Sequence, residues 1–161
     1  MNKVYIGVDP GNFGAFAVLD AGGDLIQVFD MPTASVRVGA KNKTRILPQA
    51  IASELMLFKN SDVFALIENV NASPGMGVVS AFNFGKGVGI VEGLFSGLLF
   101  PYGHVTPAQW KKFFKLSQNK DESRELAMQL YPKHAKEFSR KKDDGRAEAV
   151  LIALYHKQTA K

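Results

Sequence analysis

The sequence predicts an α/β fold, a mixed five-stranded sheet flanked by helices, in a single domain over residues 1–161. Three observations carry that prediction. Two runs, Val4 to Asp9 and Val63 to Glu68, are apolar on both faces, as covered strands are, and each ends in an acid followed by turn-forming residues. Two more strand-like runs, Ala15 to Leu19 and Leu25 to Asp30, flank the Gly-rich turn Ala21-Gly22-Gly23-Asp24, the pattern of a hairpin. Between and after the strands lie segments whose apolar residues recur at helical spacing.

Each element has a local reason. Pro10-Gly11 break the first strand. Met31 to Lys43 holds a proline, a glycine and basic residues without an apolar period, and reads as a surface loop. A helix is predicted from near Ile46 to Phe58, with Ile46, Ile51, Leu55 and Phe58 as its buried stripe and Pro48 in its first turn, where proline is tolerated. Asn69 to Gly77 is turn-rich and reads as a mobile loop. Val78 to Leu99 reads as a long helix despite its glycines. Gly85, Gly89, Gly93 and Gly97 fall four apart on one face, which makes sense where another backbone approaches: the molecule's own sheet, or the same helix of a second chain.

Tyr102 to Val105 is the fifth predicted strand. Thr106-Pro107 then starts a helix as a cap followed by proline, with Trp110, Phe113 and Phe114 as core residues and Lys111, Lys112 and Lys115 on the other side. Asp121 is placed to cap a further helix through Leu130, ended by Tyr131-Pro132. Phe138 to Asp144 is a charged stretch, and a last helix from near Gly145 to His156 buries Ala147, Val150, Leu151 and Leu154.

Composition narrows the function. With 46% hydrophobic residues the chain can bury a full core, and with no cysteine it has neither a disulfide framework nor a thiolate metal site, as suits a reducing cytoplasm. No signal-peptide layout is present at Met1 onward, and the longest apolar run, around Val88 to Phe100, is interrupted by Glu92 and glycines, so no membrane partner is expected. The net charge of +5 is concentrated: Pro101 to Lys142 carries ten Lys/Arg against four Asp/Glu. Met31 to Ser53 holds Arg37, Lys41, Lys43 and Arg45 with no acid. Basic segments beside acidic strand ends suggest a polyanion lying across a carboxylate site.

The candidate chemistry lies in the acids. Asp9 either caps its own turn through backbone N–H groups or contributes to a site beyond the strand ends. Glu68 repeats its placement, and adjacent parallel strands would bring both to one rim. Asp144 and Glu148 are four apart and can project to one side at a helix start, where like charges repel unless a cation joins them. Carboxylates with few histidines suit Mg²⁺ or Mn²⁺ rather than zinc.

A meander of three strands, a helix, a parallel strand and a closing acidic helix is the ribonuclease-H-like arrangement. At IGVDPG (Ile6 to Gly11), ALIENV (Ala65 to Val70), VTPAQWKK (Val105 to Lys112) and KKDDGRAEAVLIALY (Lys141 to Tyr155) the chain resembles the RuvC family of Holliday junction resolvases, in its phage and organellar branch. The resemblance implies an Mg²⁺-dependent endonuclease, with Mn²⁺ able to substitute, that nicks four-way DNA junctions symmetrically as a homodimer. It makes Asp9 a ligand shared by two metal ions. Glu68 becomes a ligand that positions the attacking water, and Asp144 and Glu148 complete the site. Lys120 matches a lysine near the scissile phosphate, and Lys111 a basic DNA-binding position. Lys112, Lys115, Arg37, Lys41, Lys43 and Arg45 are expected to track phosphates. A cytoplasmic setting in a bacterium or phage-infected cell is expected, or else an organelle.

Two departures stand out. Bacterial members space their closing acids three apart, so Asp143 and Asp144 could exchange roles here. They also carry an aromatic wedge three residues after the strand-end Glu, where this chain has Asn71; Met76 or Phe82 could supply that contact. Competing readings are a nuclease of the same fold acting on flaps or hybrids, and a junction binder without catalysis. A small nucleotide-binding domain would need a phosphate-cradling loop beyond Gly11 to Gly14, and none is found.

Overall fold

The structure, a computed structural model, describes residues 2–160. Its main sheet joins β1 (Lys3–Asp9), β2 (Ala15–Asp20), β3 (Leu25–Asp30), β6 (Asp62–Glu68) and β7 (Tyr102–Val105) in the order β3-β2-β1-β6-β7. β1 runs antiparallel to β2 and parallel to β6, with Val8 opposite Ile67, so the carboxyl ends of β1 and β6 share one rim. β7 extends the sheet in parallel, with Glu68 opposite Val105. This is the mixed five-stranded arrangement the sequence predicts.

Helices cover both faces. On one side α1 (Pro48–Met56) and α2 (Val78–Gly97) bury Ile51, Leu55, Val91 and Phe95 against Val4, Ile6, Val8, Phe16 and Ile67. On the other, α3 (Pro107–Phe113), α4 (Lys120–Leu130) and α5 (Asp144–Thr159) cover Tyr5, Ala15, Ala17, Leu19 and Leu66. Side chains of β1 therefore alternate between two cores, as strand geometry requires. α5 is the central helix, buried from Ala147 through Leu154. It lies directly on β1 at Gly7, where an added Cβ would sit 2.1 Å from the Ala149 carbonyl oxygen and 2.4 Å from the Ala153 nitrogen.

Several expectations are corrected. The segment after Met31 is a hairpin and not a loop: β4 (Thr33–Val38) and β5 (Lys41–Ile46) pair antiparallel around Gly39, whose φ of +62° suits a two-residue hairpin turn. The ribbon stands apart from the main sheet and buries neither face, so it never needed an alternating apolar pattern. The cap of α4 is not Asp121 but Asn119, two residues earlier, whose side chain accepts from the Asp121 N–H at 3.0 Å. A 3₁₀ turn, Pro132–Phe138, leads into the charged stretch, which itself holds a second, Lys141–Asp143.

The glycine face of α2 also differs. A Cβ added at Gly85, Gly89, Gly93 or Gly97 would meet nothing within 4 Å, so the molecule's own sheet does not use that face. The close approach is at Gly87, where a Cβ would be 3.0 Å from Ile46 Cδ1. By length and composition alone α2 would be long and apolar enough to cross a membrane, with a mean hydropathy of 1.2, although Glu92 had argued against such a run. Here its Val91 and Phe95 dock into the sheet core.

Candidate active site

Three elements converge at the rim beyond β1 and β6. Asp9 ends β1 and is partly buried, and its Oδ1 accepts the Gly11 N–H at 3.3 Å. The turn that follows is anchored: Gly14 N–H donates to the Gly11 carbonyl at 2.9 Å, and Gly14 sits so close that a Cβ there would be 2.0 Å from the Asp9 carbonyl oxygen. Glu68 ends β6 and is buried, with its Oε1 accepting the indole N–H of Trp110 at 2.8 Å. Glu148 enters from α5, also buried, with its Oε1 3.6 Å from Lys111 Nζ.

These carboxyls repel one another in a poorly hydrated site. Burial pushes Asp9 up to about 7, with the charges of Glu148 and Glu68 adding to the rise and the Gly11 N–H and Lys120 only partly opposing it. Burial raises Glu68 as well, against the hydrogen bond from Trp110 and the charges of Lys111 and Lys120. Glu148 is raised by burial and by Glu68, and lowered by Lys111 and Lys120. Two ammonium groups thus offset part of a charge excess that remains.

The closing acids separate into different roles. Asp144, the first residue of α5, pairs with Lys120 at the head of α4. Asp143 is turned away and is only 1% exposed. Burial pushes its carboxyl up, but hydrogen bonds from the Arg140 guanidinium and backbone N–H, at 2.8 and 2.9 Å, outweigh this and hold it below its ordinary value. Of the two, Asp144 therefore faces the other acids. Gly145 lets α5 start hard against the Asp9 turn, since a Cβ there would be 2.6 Å from the Phe13 carbonyl oxygen.

The structure thus gathers Asp9, Glu68 and Glu148, with Asp144 and Lys120 at the edge. Lys111 is corrected: it is buried beside Glu148 and Trp110, not on an outer phosphate-tracking face, while Phe113 is 44% exposed. Lys112 and Lys115 are exposed. Arg37, Lys41, Lys43 and Arg45 ride on the β4–β5 hairpin. The sequence reading missed Trp110 as the partner of Glu68 and Arg140 as the lock on Asp143. Spacing of Arg140 three before Asp143 was the only available signal, and the indole bond, formed across the fold, had none.

Among the described residues no three Asp, Glu, His or Cys side chains stand close enough to hold a metal ion as they are. The donor chemistry nevertheless fits a hard divalent cation: the facing ligands are all carboxylates and their mutual repulsion is incompletely neutralised.

No family model matches the chain. Over 95 residues it is 32% identical to the Holliday junction resolvase MOC1, chloroplastic, of Chlamydomonas reinhardtii, which covers 58% of this chain and 11% of that relative. The chain thus spans only a small part of the curated relative it matches. The fold is the ribonuclease-H-like fold of RuvC. The T. thermophilus RuvC in complex with Holliday junction substrate superposes with a TM-score of 0.58 at 16% identity, covering 95% of this chain and 92% of that one. A second Thermus thermophilus RuvC structure gives 0.57 at 17% identity, with the same coverage. The curated relative and the shared fold together support the RuvC-like resemblance read from the four motifs.

Proposed function

We propose that this protein is a divalent-metal-dependent endonuclease that resolves four-way DNA junctions by paired symmetric nicks, acting as a homodimer. The observation that carries the proposal is the meeting of Asp9 and Glu68, from adjacent parallel strand ends, with Glu148 of α5. The similarity to a chloroplastic junction resolvase and to the RuvC fold supports the substrate class, and the former is compatible with an organellar as well as a cytoplasmic setting.

Asp9, Glu68, Asp144 and Glu148 are the residues that would hold two Mg²⁺ ions, with Mn²⁺ as a substitute. Ions held there would supply activation of a water and stabilisation of the leaving oxygen of a phosphodiester, as cleavage to ligatable ends requires. Trp110 holds the Glu68 carboxylate in its orientation through its 2.8 Å hydrogen bond. Lys111 holds Glu148 in place, and Lys120 offers an ammonium to the scissile phosphate once DNA competes for its bond to Asp144. The hairpin cations and Lys112 and Lys115 track neighbouring phosphates. Met76 and Phe82, both exposed, supply the wedge in place of Asn71.

Asp9→Asn should keep four-way-junction binding in a gel-shift assay and lose cutting by at least two orders of magnitude; a variant that still cuts removes Asp9 from the catalytic centre. A non-catalytic junction binder is the second reading, favoured by the two lysines that already offset part of the acids' charge. Cutting of flaps or hybrids in place of junctions would retain the site and change the substrate.

A further inference from the structure

Beside the carboxylates, and separate from them, the turn after Asp9, the root of the β4–β5 hairpin and the middle of α2 line an open surface cavity of ≈ 180 Å³. Asn12, Thr44, Arg45, Asn83 and Lys86 line it, and no acid does. Among the described residues neither Arg45 nor Lys86 pairs with a carboxylate, whereas six other basic side chains do. Two unpaired cations and three neutral hydrogen-bonding side chains facing one hollow is the composition of an anion site. The volume is worth roughly six waters at ~30 Å³ each, room for a tetrahedral anion and part of its hydration.

The cavity is built and not incidental. Gly87 forms its floor, and the absence of a side chain there lets α2 approach Ile46 and the Pro10 carbonyl. The hairpin root is tied down by Leu47 N–H donating to the Pro32 carbonyl at 2.9 Å, and the strand before it by Met31 N–H to the Gly14 carbonyl at 2.9 Å. Those bonds fix the position of Arg45 relative to Asn12 and the Asp9 turn.

We infer that this cavity binds one backbone phosphate of the nucleic-acid strand being cut, gripped jointly by Arg45 and Lys86, and sets the register of that strand on the carboxylates. This rests on the nuclease reading above. Asn12 lies three residues after Asp9, a span of at most about 10 Å of chain. At about 3.4 Å of axial rise per nucleotide, the gripped phosphate lies within about three steps of the scissile one. Lys86, Asn12, Asn83 and Thr44 thereby join the hairpin arginine as binding residues.

The test uses the full chain without divalent metal, so that binding is read apart from cutting. Inorganic phosphate is titrated at low salt while the amide resonances of Thr44, Arg45 and Gly87 are followed. Saturable shifts in wild type, lost in the Arg45→Gln/Lys86→Gln double variant and restored by Lys86→Arg in place of Lys86→Gln, support the site; absence of shifts in wild type overturns it. Junction affinity is then measured against salt. Because both cations grip one phosphate, the double variant should lower the slope of log affinity by about one, with roughly a tenfold loss of affinity. A drop of about two means two separate phosphates, and no drop means none; either overturns the shared grip. Lys59→Gln, on the exposed end of the α1 region, serves as the control with slope unchanged. If wild type binds no DNA, the nuclease reading and the assignment of a DNA phosphate both fail, whatever the phosphate titration shows.

Discussion

Asp9 is where the fold works against itself for the sake of the site. Its carboxyl is raised from 3.8 to about 7 by burial and by two neighbouring acids, so the folded protein holds a proton that the unfolded chain releases at lower pH. The stability tied to that proton is full below pH 3.8 and is lost as pH rises through 7. Without divalent metal, the melting temperature should therefore carry a downward component across that window. Asp9→Asn removes the component and should stabilise the metal-free protein at pH 8, by on the order of 3 kcal/mol. Added Mg²⁺ should raise the melting temperature of wild type more than that of the variant. A variant no more stable than wild type at pH 8 would show that Asp9 is not under this repulsion. Both strand-end acids were legible in the sequence, since a carboxylate closing an apolar strand is conspicuous. Lys111 was not: on a short helix its side could not be told from spacing, and only the depth of Glu148 on α5 explains why it turns inward.

The glycines of the elements divide into two kinds, and substitution separates them. At Gly7 the backbones of β1 and α5 touch, and Gly7→Ala should destabilise the protein by about 3 kcal/mol or more, because backbone cannot move aside as a side chain can. At Gly89 and Gly93 the helix face is open. There each Gly→Ala change should stabilise the isolated chain by about 0.5–1 kcal/mol through helix propensity alone. If that face packs against the same helix of a second copy, the same changes will weaken self-association in sedimentation experiments while raising the stability of the monomer. An unchanged self-association would move the dimer contact off this face. The main strands and helices were legible because they bury a periodic face. The β4–β5 hairpin escaped because it buries none, and only Gly39 hinted at its turn.

Across the whole molecule, charge and topology agree on one working face. The parallel pairing of β1 and β6 puts two acids on a rim, α5 adds a third, and the hairpin and α3 bring cations to its flanks. Neutralising Lys112 and Lys115 should weaken junction binding broadly and lower its salt slope by about one unit per lost phosphate contact. An unchanged slope would remove them from the DNA path. The overall fold and the ordering of its motifs could be read ahead of the structure because four separated stretches each mark a different element of it. The pairings across the fold, Trp110 with Glu68 and Arg140 with Asp143, could not, since nothing in a linear pattern specifies which side chains meet. The central claim is best tested by an Mg²⁺-dependent cleavage assay on an immobile four-way junction, with linear duplex, flap and RNA–DNA hybrid alongside, comparing wild type with Glu68→Gln. The account predicts symmetric paired nicks in the junction alone, abolished by the substitution. Tight junction binding by wild type with no cutting under any divalent metal would contradict it.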